Sequence, residues 1–205
     1  MTTEKKKILV ISDHPMAPSG VGTQTKYVIE ALLATGRYKF VCIGGAVKHN
    51  DYQPQKVEGF GDDWVIHPVD GYGDPQIIRS ALAVEKPDLI WFMTDPRFYG
   101  WLWDMENEIR PHCPMVYYHV WDNYPYPHYN KSSYESTDVI ASISKVTHDI
   151  VNTVAPNVEN HYLPHAVDTN IFSPLNKSQI QDLKSQMFGE GDSKVTFFWN
   201  NRNAR

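Results

Sequence analysis

This sequence predicts an α/β fold built on a doubly wound parallel sheet, and three observations predict it. Short apolar runs of β type alternate with segments whose apolar residues recur at helical spacing. One run, Leu89-Ile90-Trp91-Phe92-Met93, is continuously apolar, as in a strand buried on both faces. Between the first run and the first helical segment, the loop from Ser12 to Thr25 carries two prolines and two glycines. Such a loop turns a chain from a buried strand into a helix N-terminus.

The elements follow in order. Residues 7–11 form the first strand. Val21, Tyr27, Val28, Ala31 and Leu32 mark a helix over roughly 21–35, closed by Gly36. Residues 38–43 read as a second strand, followed by a polar stretch, 44–62, rich in Gly, Asp, Asn, Gln and Pro. A third strand covers 64–69. A short helix over 75–85 sets Ile77, Ile78, Ala81 and Leu82 on one side. The fourth strand spans 87–93, and residues 96–110 read as an aromatic-rich helix. Strands at 115–120 and 138–143 bracket an aromatic loop. Ser144 caps a helix over 144–154, and 159–163 is a last short strand.

Past Leu163 the pattern changes to a turn-rich segment, then a weakly helical stretch at 176–188 and a loop at 189–193. Residues 194–200 read as a fresh buried-type strand with a basic tip, 201–205. The expected division is a first domain over 1–172, a linker over 173–193, and the first strand of a second domain over 194–205.

The 205 residues include 41% apolar and 21% charged residues, as in a globular chain. A net charge of −5 with no basic patch speaks against nucleic acid as a partner. Lys5-Lys6-Lys7 reads as a solvated lead-in. No run is long enough for a transmembrane span or a signal peptide, which leaves peripheral membrane contact open. Cys42 and Cys113 stand far apart and read as buried thiols of a reducing compartment, so a cytoplasmic location is expected.

The first loop is the strongest local pointer to a ligand. Unpaired amides at a helix N-terminus attract anions, and ligands of open α/β sheets bind at the carboxyl edge of the strands. Gly20-Val21-Gly22 supplies such a turn, although the glycines also serve a sharp bend alone. Thr25 replaces the third glycine of the dinucleotide fingerprint, and Ile43-Gly44-Gly45-Ala46 carries no acid, which argues against a nicotinamide enzyme. No Walker A lysine follows and no G-x-S-x-G occurs. His161 and His165 are separated by Pro164 and share no helical face, so no metal is expected.

Three stretches together resemble the GT-B glycosyltransferases, in particular their large retaining group, family four. These are Ser19-Gly20-Val21-Gly22 with Leu32-Leu33-Ala34-Thr35-Gly36-Arg37, then Leu163 to Pro174, and finally Phe197 to Asn203. The middle stretch is the most specific: it is similar to Pro-x-Gly-Val-Asp-x-x-x-Phe-x-Pro, with Ala166 in place of the glycine. The family's paired-glutamate motif does not occur. The resemblance covers nearly the whole chain. It implies a Rossmann-like acceptor-side domain, the N-terminal half of a GT-B fold, followed by the start of a donor domain. It also implies transfer of a sugar from a nucleotide-diphosphate sugar to an acceptor hydroxyl, with retention by front-face attack and no protein nucleophile.

The resemblance further implies site roles. Amides beside Gly20, Val21 and Gly22 face the departing diphosphate, Arg202 approaches from the other side, and no metal or other cofactor is needed. His119, at the end of the fifth strand, is the candidate catalytic side chain. On the residues alone it is as readily a structural histidine bonded to a neighbouring carbonyl. Asp122 and Asn123 are placed to bind sugar hydroxyls and Trp121, Tyr124 and Tyr126 to stack on a sugar face, or else to pack the loop. Asp13 and His14 are acceptor-contact candidates, with a turn cap as the other role for Asp13. Asp95 and Arg97 line the cleft or form a local pair. The acceptor is a carbohydrate, lipid or protein. Two other functions fit the same pattern: a non-catalytic nucleotide- or sugar-binding module, and a nucleotide-sugar 2-epimerase of GT-B architecture. The family pattern also implies that a chain without the donor half is inactive alone.

Overall fold

The computed structural model describes residues 4–121 and 123–189. Among the described residues eight strands form one sheet in the order β3-β4-β2-β1-β5-β6-β7-β8. They are β1 (Lys6–Asp13), β2 (Tyr38–Gly45), β3 (Gln55–Lys56), β4 (Trp64–Pro68), β5 (Leu89–Thr94), β6 (Met115–His119), β7 (Val139–Ser142) and β8 (Glu159–Tyr162). All pair in parallel except β3, which runs antiparallel to β4. The helices are α1 (Gly20–Leu33), α2 (Pro75–Glu85), α3 (Gly100–Trp103), α4 (Glu106–Ile109), α5 (Lys131–Glu135), α6 (Lys145–Val154) and α7 (Lys177–Phe188). The doubly wound α/β sheet expected from the apolar runs is what forms.

Alternation along each strand builds two cores. Ile8 and Val10 face α1, where they pack with Ile29, Phe40, Cys42 and Trp91. Leu9 and Ile11 face the other way, toward Ile78, Phe92, Tyr99, Trp103, Tyr117 and Ile150. The chain leaves β1 for β2 and β4, then returns to β5 on the other flank and proceeds outward to β8. The order therefore reverses between β1 and β5, and there the crevice of a doubly wound sheet opens.

Side-chain caps set the helix starts. Asp74 accepts from the amides of Gln76 and Ile77, and the Ser144 hydroxyl from that of Thr147, as expected of that serine. Two local expectations differ from the fold. Residues 96–110 are a turn over Pro96–Phe98 and two short helices, α3 and α4. Anchoring of large side chains bends the segment: the Tyr99 hydroxyl donates to the carbonyls of Ile11 and Met93, and the Trp103 indole donates to Thr137 Oγ1. The polar stretch 44–62 also contributes β3, whose two residues are exposed and carry no apolar signature.

The chain divides into two compact units after Ala166. In the second unit Asp168 accepts from the amides of Asn170 and Phe172, and α7 starts from an Asn176–Gln179 capping box. The strand expected at 194–200 lies outside the described residues, as do Arg202 and Asp122. Among the described residues no helix is long and apolar enough to cross a membrane.

Candidate functional site

The carboxyl ends of β1, β5 and β6 carry two groups of polar side chains. The first is built on the loop between β1 and α1. Ser19 is the N-cap of α1: its Oγ accepts from Gly22 N at 2.9 Å and its hydroxyl proton goes to Asp13 Oδ2 at 2.6 Å. Tyr72 donates to the other carboxylate oxygen at 3.1 Å. Asp13 is only 7% exposed, and these two hydroxyls meet its need for donors there. Asp13 thus ties the loop to the helix start.

His14 continues the sheet, its amide donating to Gly45 O at 2.9 Å. Its Nδ1 accepts from the amide of Met16 at 3.1 Å, so the neutral ring carries its proton on Nε2. Burial, reinforced by the His49 ring with its centroid 5.4 Å away, lowers the His14 pKa below the usual value. At neutral pH His14 is uncharged.

The glycines of the loop are not equivalent. A Cβ at Gly22 would stand 2.7 Å from His14 O and 3.0 Å from Ala17 O, so this position is fixed by the loop folding onto the helix. Its amide is spent on Ser19. A Cβ at Gly20 would meet nothing within 4 Å. The amides of Gly20 and Val21 have no partner among the described residues, and they are the donors left for an anion.

The second group lies on β5 and β6. His119 is fully buried at the end of β6, with Nε2 2.7 Å from the Tyr134 hydroxyl. Asn130 donates to that same hydroxyl at 3.3 Å, so the tyrosine proton points to Nε2 and the histidine proton sits on Nδ1. Nδ1 is buried without a partner among the described residues. Burial lowers the His119 pKa to about 3, with Asp95 opposing the shift. The ring is therefore neutral, and its structural partner is a tyrosine hydroxyl rather than a carbonyl. Asp95 caps the amide of Arg97 and pairs with its guanidinium, which holds the carboxyl below its usual pKa. Arg97 lies over the Trp121 ring at 5.9 Å. Trp121 is 7% exposed, while Asn123 and Tyr124 face solvent.

Tyr72 joins the two groups, and the sequence reading missed it. Besides Asp13 it contacts the Thr94 hydroxyl at 3.4 Å, and its ring lies 5.0 Å from that of Phe98. The loop that carries it is wedged against β2: Ala46 N donates to Gly71 O, and Val69 N to Gly44 O. A Cβ at Gly45 would fall 1.9 Å from Gly71 O, so only glycine fits at the end of β2. The available signal was an aromatic between two glycines, Gly71-Tyr72-Gly73, at the carboxyl edge.

A cavity of about 460 Å³ opens elsewhere, on the sheet face beside α2, lined by Val41, Ile43, Val69, Ile77, Ala81 and Val84. Its lining is mainly apolar and none of the polar groups above reaches it. The chemistry points to the carboxyl edge instead.

The fold has solved counterparts. HepE from Anabaena, in complex with UDP and glucose, matches over 90% of this chain and 50% of its own, with a TM-score of 0.52 and 12% identity. A trehalose-6-phosphate protein from E. coli bound with UDP-2-fluoro glucose matches over 89% and 54%, with a TM-score of 0.52 and 10% identity. OtsA in its apo form matches over 88% and 55%, at 0.54 and 12%. These neighbours are GT-B glycosyltransferases. This chain spans about half the length of each. No protein-family model and no curated protein matches the sequence. The chain has the Rossmann-like fold that such proteins contain.

Proposed function

We propose that this chain is the acceptor-side domain of a glycosyltransferase that moves a sugar from a nucleotide-diphosphate sugar to an acceptor hydroxyl. One observation carries the reading: the amides of Gly20 and Val21, without a partner among the described residues, lie at the crevice edge of a fold whose solved neighbours hold UDP and a UDP-sugar. In this reading the amides of Gly20 and Val21 and the positive end of α1 stabilise the departing diphosphate. Arg202 faces it from the donor side. Gly22 shapes the turn. Asp13 and His14 border the acceptor hydroxyl, and Trp121, Asp122 and Asn123 border the sugar.

His119 contributes as a neutral donor through Nδ1. With a pKa of about 3 it does not deliver a proton at neutral pH. Retention follows from the family-four pattern in Leu163 to Pro174, and the reading calls for no metal. The proposed division keeps a first domain to 172, a linker, and a donor domain from 194.

A second reading, a non-catalytic sugar-nucleotide binding module, is favoured by one observation. The carboxylate of Asp13 and the ring of His119 are both nearly closed to solvent.

The test is to incubate the full gene product with UDP-glucose and other nucleotide sugars, together with sugar, lipid and protein acceptors. Nucleotide release and product anomeric configuration are followed by NMR. Acceptor-dependent release, unaffected by EDTA, with the anomeric configuration kept, is expected. Val21→Pro removes one amide at a helix position that tolerates proline, and it should slow transfer at least about tenfold. Binding without release would support the module reading, and no binding would refute both.

A further inference from the structure

We infer that Gln24 is a positioning residue that clamps Ala166, and with it the segment 163–166, beside the first turns of α1. Its Nε2 donates to Ala166 O at 2.7 Å and its Oε1 accepts from Ala166 N at 3.1 Å. One side-chain amide thus satisfies both backbone groups of a residue 142 positions away, as a strand neighbour would.

The rest of the segment is held at its other end. Leu163 N donates to Ser142 O at 2.9 Å, and the Tyr118 hydroxyl donates to Leu163 O at 3.0 Å. Pro164 has no amide to contribute. The His165 ring meets Tyr118 edge-on at 5.5 Å. All four residues from Leu163 to Ala166 are exposed, so no buried side chain holds Ala166 where it is. Its hydrogen bonds among the described residues are the two to Gln24.

The functional consequence rests on the reading above. Gln24 belongs to the same helix start that presents the amides of Gly20 and Val21. The clamp makes the segment, including the His165 imidazole, a fixed wall of that edge. The first compact unit ends at Ala166, so Gln24 holds the last residue of the unit in place.

The experiment is amide hydrogen exchange by NMR on the 205-residue chain and two variants. Gln24→Met keeps the length of the side chain without either hydrogen bond. Exchange at Ala166 should rise about tenfold while exchange at Leu163 and the Tm stay unchanged. The His165 imidazole provides a second readout. Desolvation holds its titration below the usual histidine value, and in Gln24→Met it should move back up.

Gln24→Glu supplies the rescue. A protonated carboxyl has one donor and one acceptor in the geometry of the amide, whereas a carboxylate only accepts. Protection of Ala166, corrected for intrinsic exchange, should therefore return in Gln24→Glu at pH 4 and be lost at pH 7. Unchanged exchange at Ala166 in Gln24→Met overturns the inference, as does a uniform rise across the chain with a lowered Tm. None of these readouts uses activity. A clamp without transferase activity would refute only the proposed function.

Discussion

Acid should destabilise this protein through His119, by an amount the structure allows to be worked out. The imidazole is fully buried, its Nε2 bonded to Tyr134, and its pKa falls from the ordinary 6.5 to about 3 because burial disfavours the cation. In the unfolded chain the same ring takes up a proton near pH 6.5. Between those values the unfolded state binds the extra proton, so stability is intact above pH 6.5 and is lost as the pH falls toward 3. The slope is about 1.4 kcal/mol per pH unit, so going from pH 7 to pH 5 costs about 2 kcal/mol at this site. For a chain of this size that corresponds to a fall in Tm of about 4–8 °C.

His14 and His165 are also lowered by burial and push the same way, so the wild type alone does not isolate the effect. The informative comparison is urea unfolding at pH 7 and pH 5 for the wild type and for His119→Gln. Glutamine can still meet the Tyr134 hydroxyl but does not titrate. Whatever its stability at pH 7, the variant should lose about 2 kcal/mol less on acidification. Equal losses in the two proteins would refute the reasoning: His119 would then be hydrated or already protonated in the folded state.

Three further outcomes follow from the same geometry. Gly45→Ala drives a Cβ to within 1.9 Å of Gly71 O, where backbone must move, while a Cβ at Gly20 meets nothing within 4 Å. Thermal unfolding should show a loss of about 3 kcal/mol or more for Gly45→Ala and a Tm within about 1 °C of wild type for Gly20→Ala. Ser19→Ala removes both the cap on Gly22 N and one donor to Asp13, and urea unfolding should report a loss of about 1–2 kcal/mol. Tyr72→Phe leaves one oxygen of the buried Asp13 carboxylate without its donor. A cost of about 1–3 kcal/mol is expected in urea unfolding.

The sheet was legible because a parallel strand covered on both faces asks only for apolar side chains, and residues 8–11, 40–43 and 89–93 supply them without interruption. β3 was not legible, since two exposed residues pairing with β4 leave no apolar trace. The break in 96–110 was hidden for the opposite reason. Its rings recur as a helix would place them, but Tyr99 and Trp103 are held by Ile11, Met93 and Thr137, which the spacing of neighbours does not reveal. The same division runs through the candidate site. The loop after β1 announces itself by its glycines. Which glycine faces open space depends on where the carbonyls of His14 and Ala17 come to rest, and Gly22 is taken while Gly20 is free. Tyr72 is 59 residues from Asp13, and Tyr134 is 15 from His119. A one-dimensional pattern can name a polar residue at a strand's carboxyl end but not the hydroxyl that will satisfy it. That hydroxyl decides whether the residue meets a ligand with its hydrogen-bonding capacity free or already committed. For Asp13 both oxygens are committed, whereas Nδ1 of His119 has no partner among the described residues. Of the two, the histidine therefore keeps a buried donor that no described residue accepts, and that donor is what it has to offer a ligand.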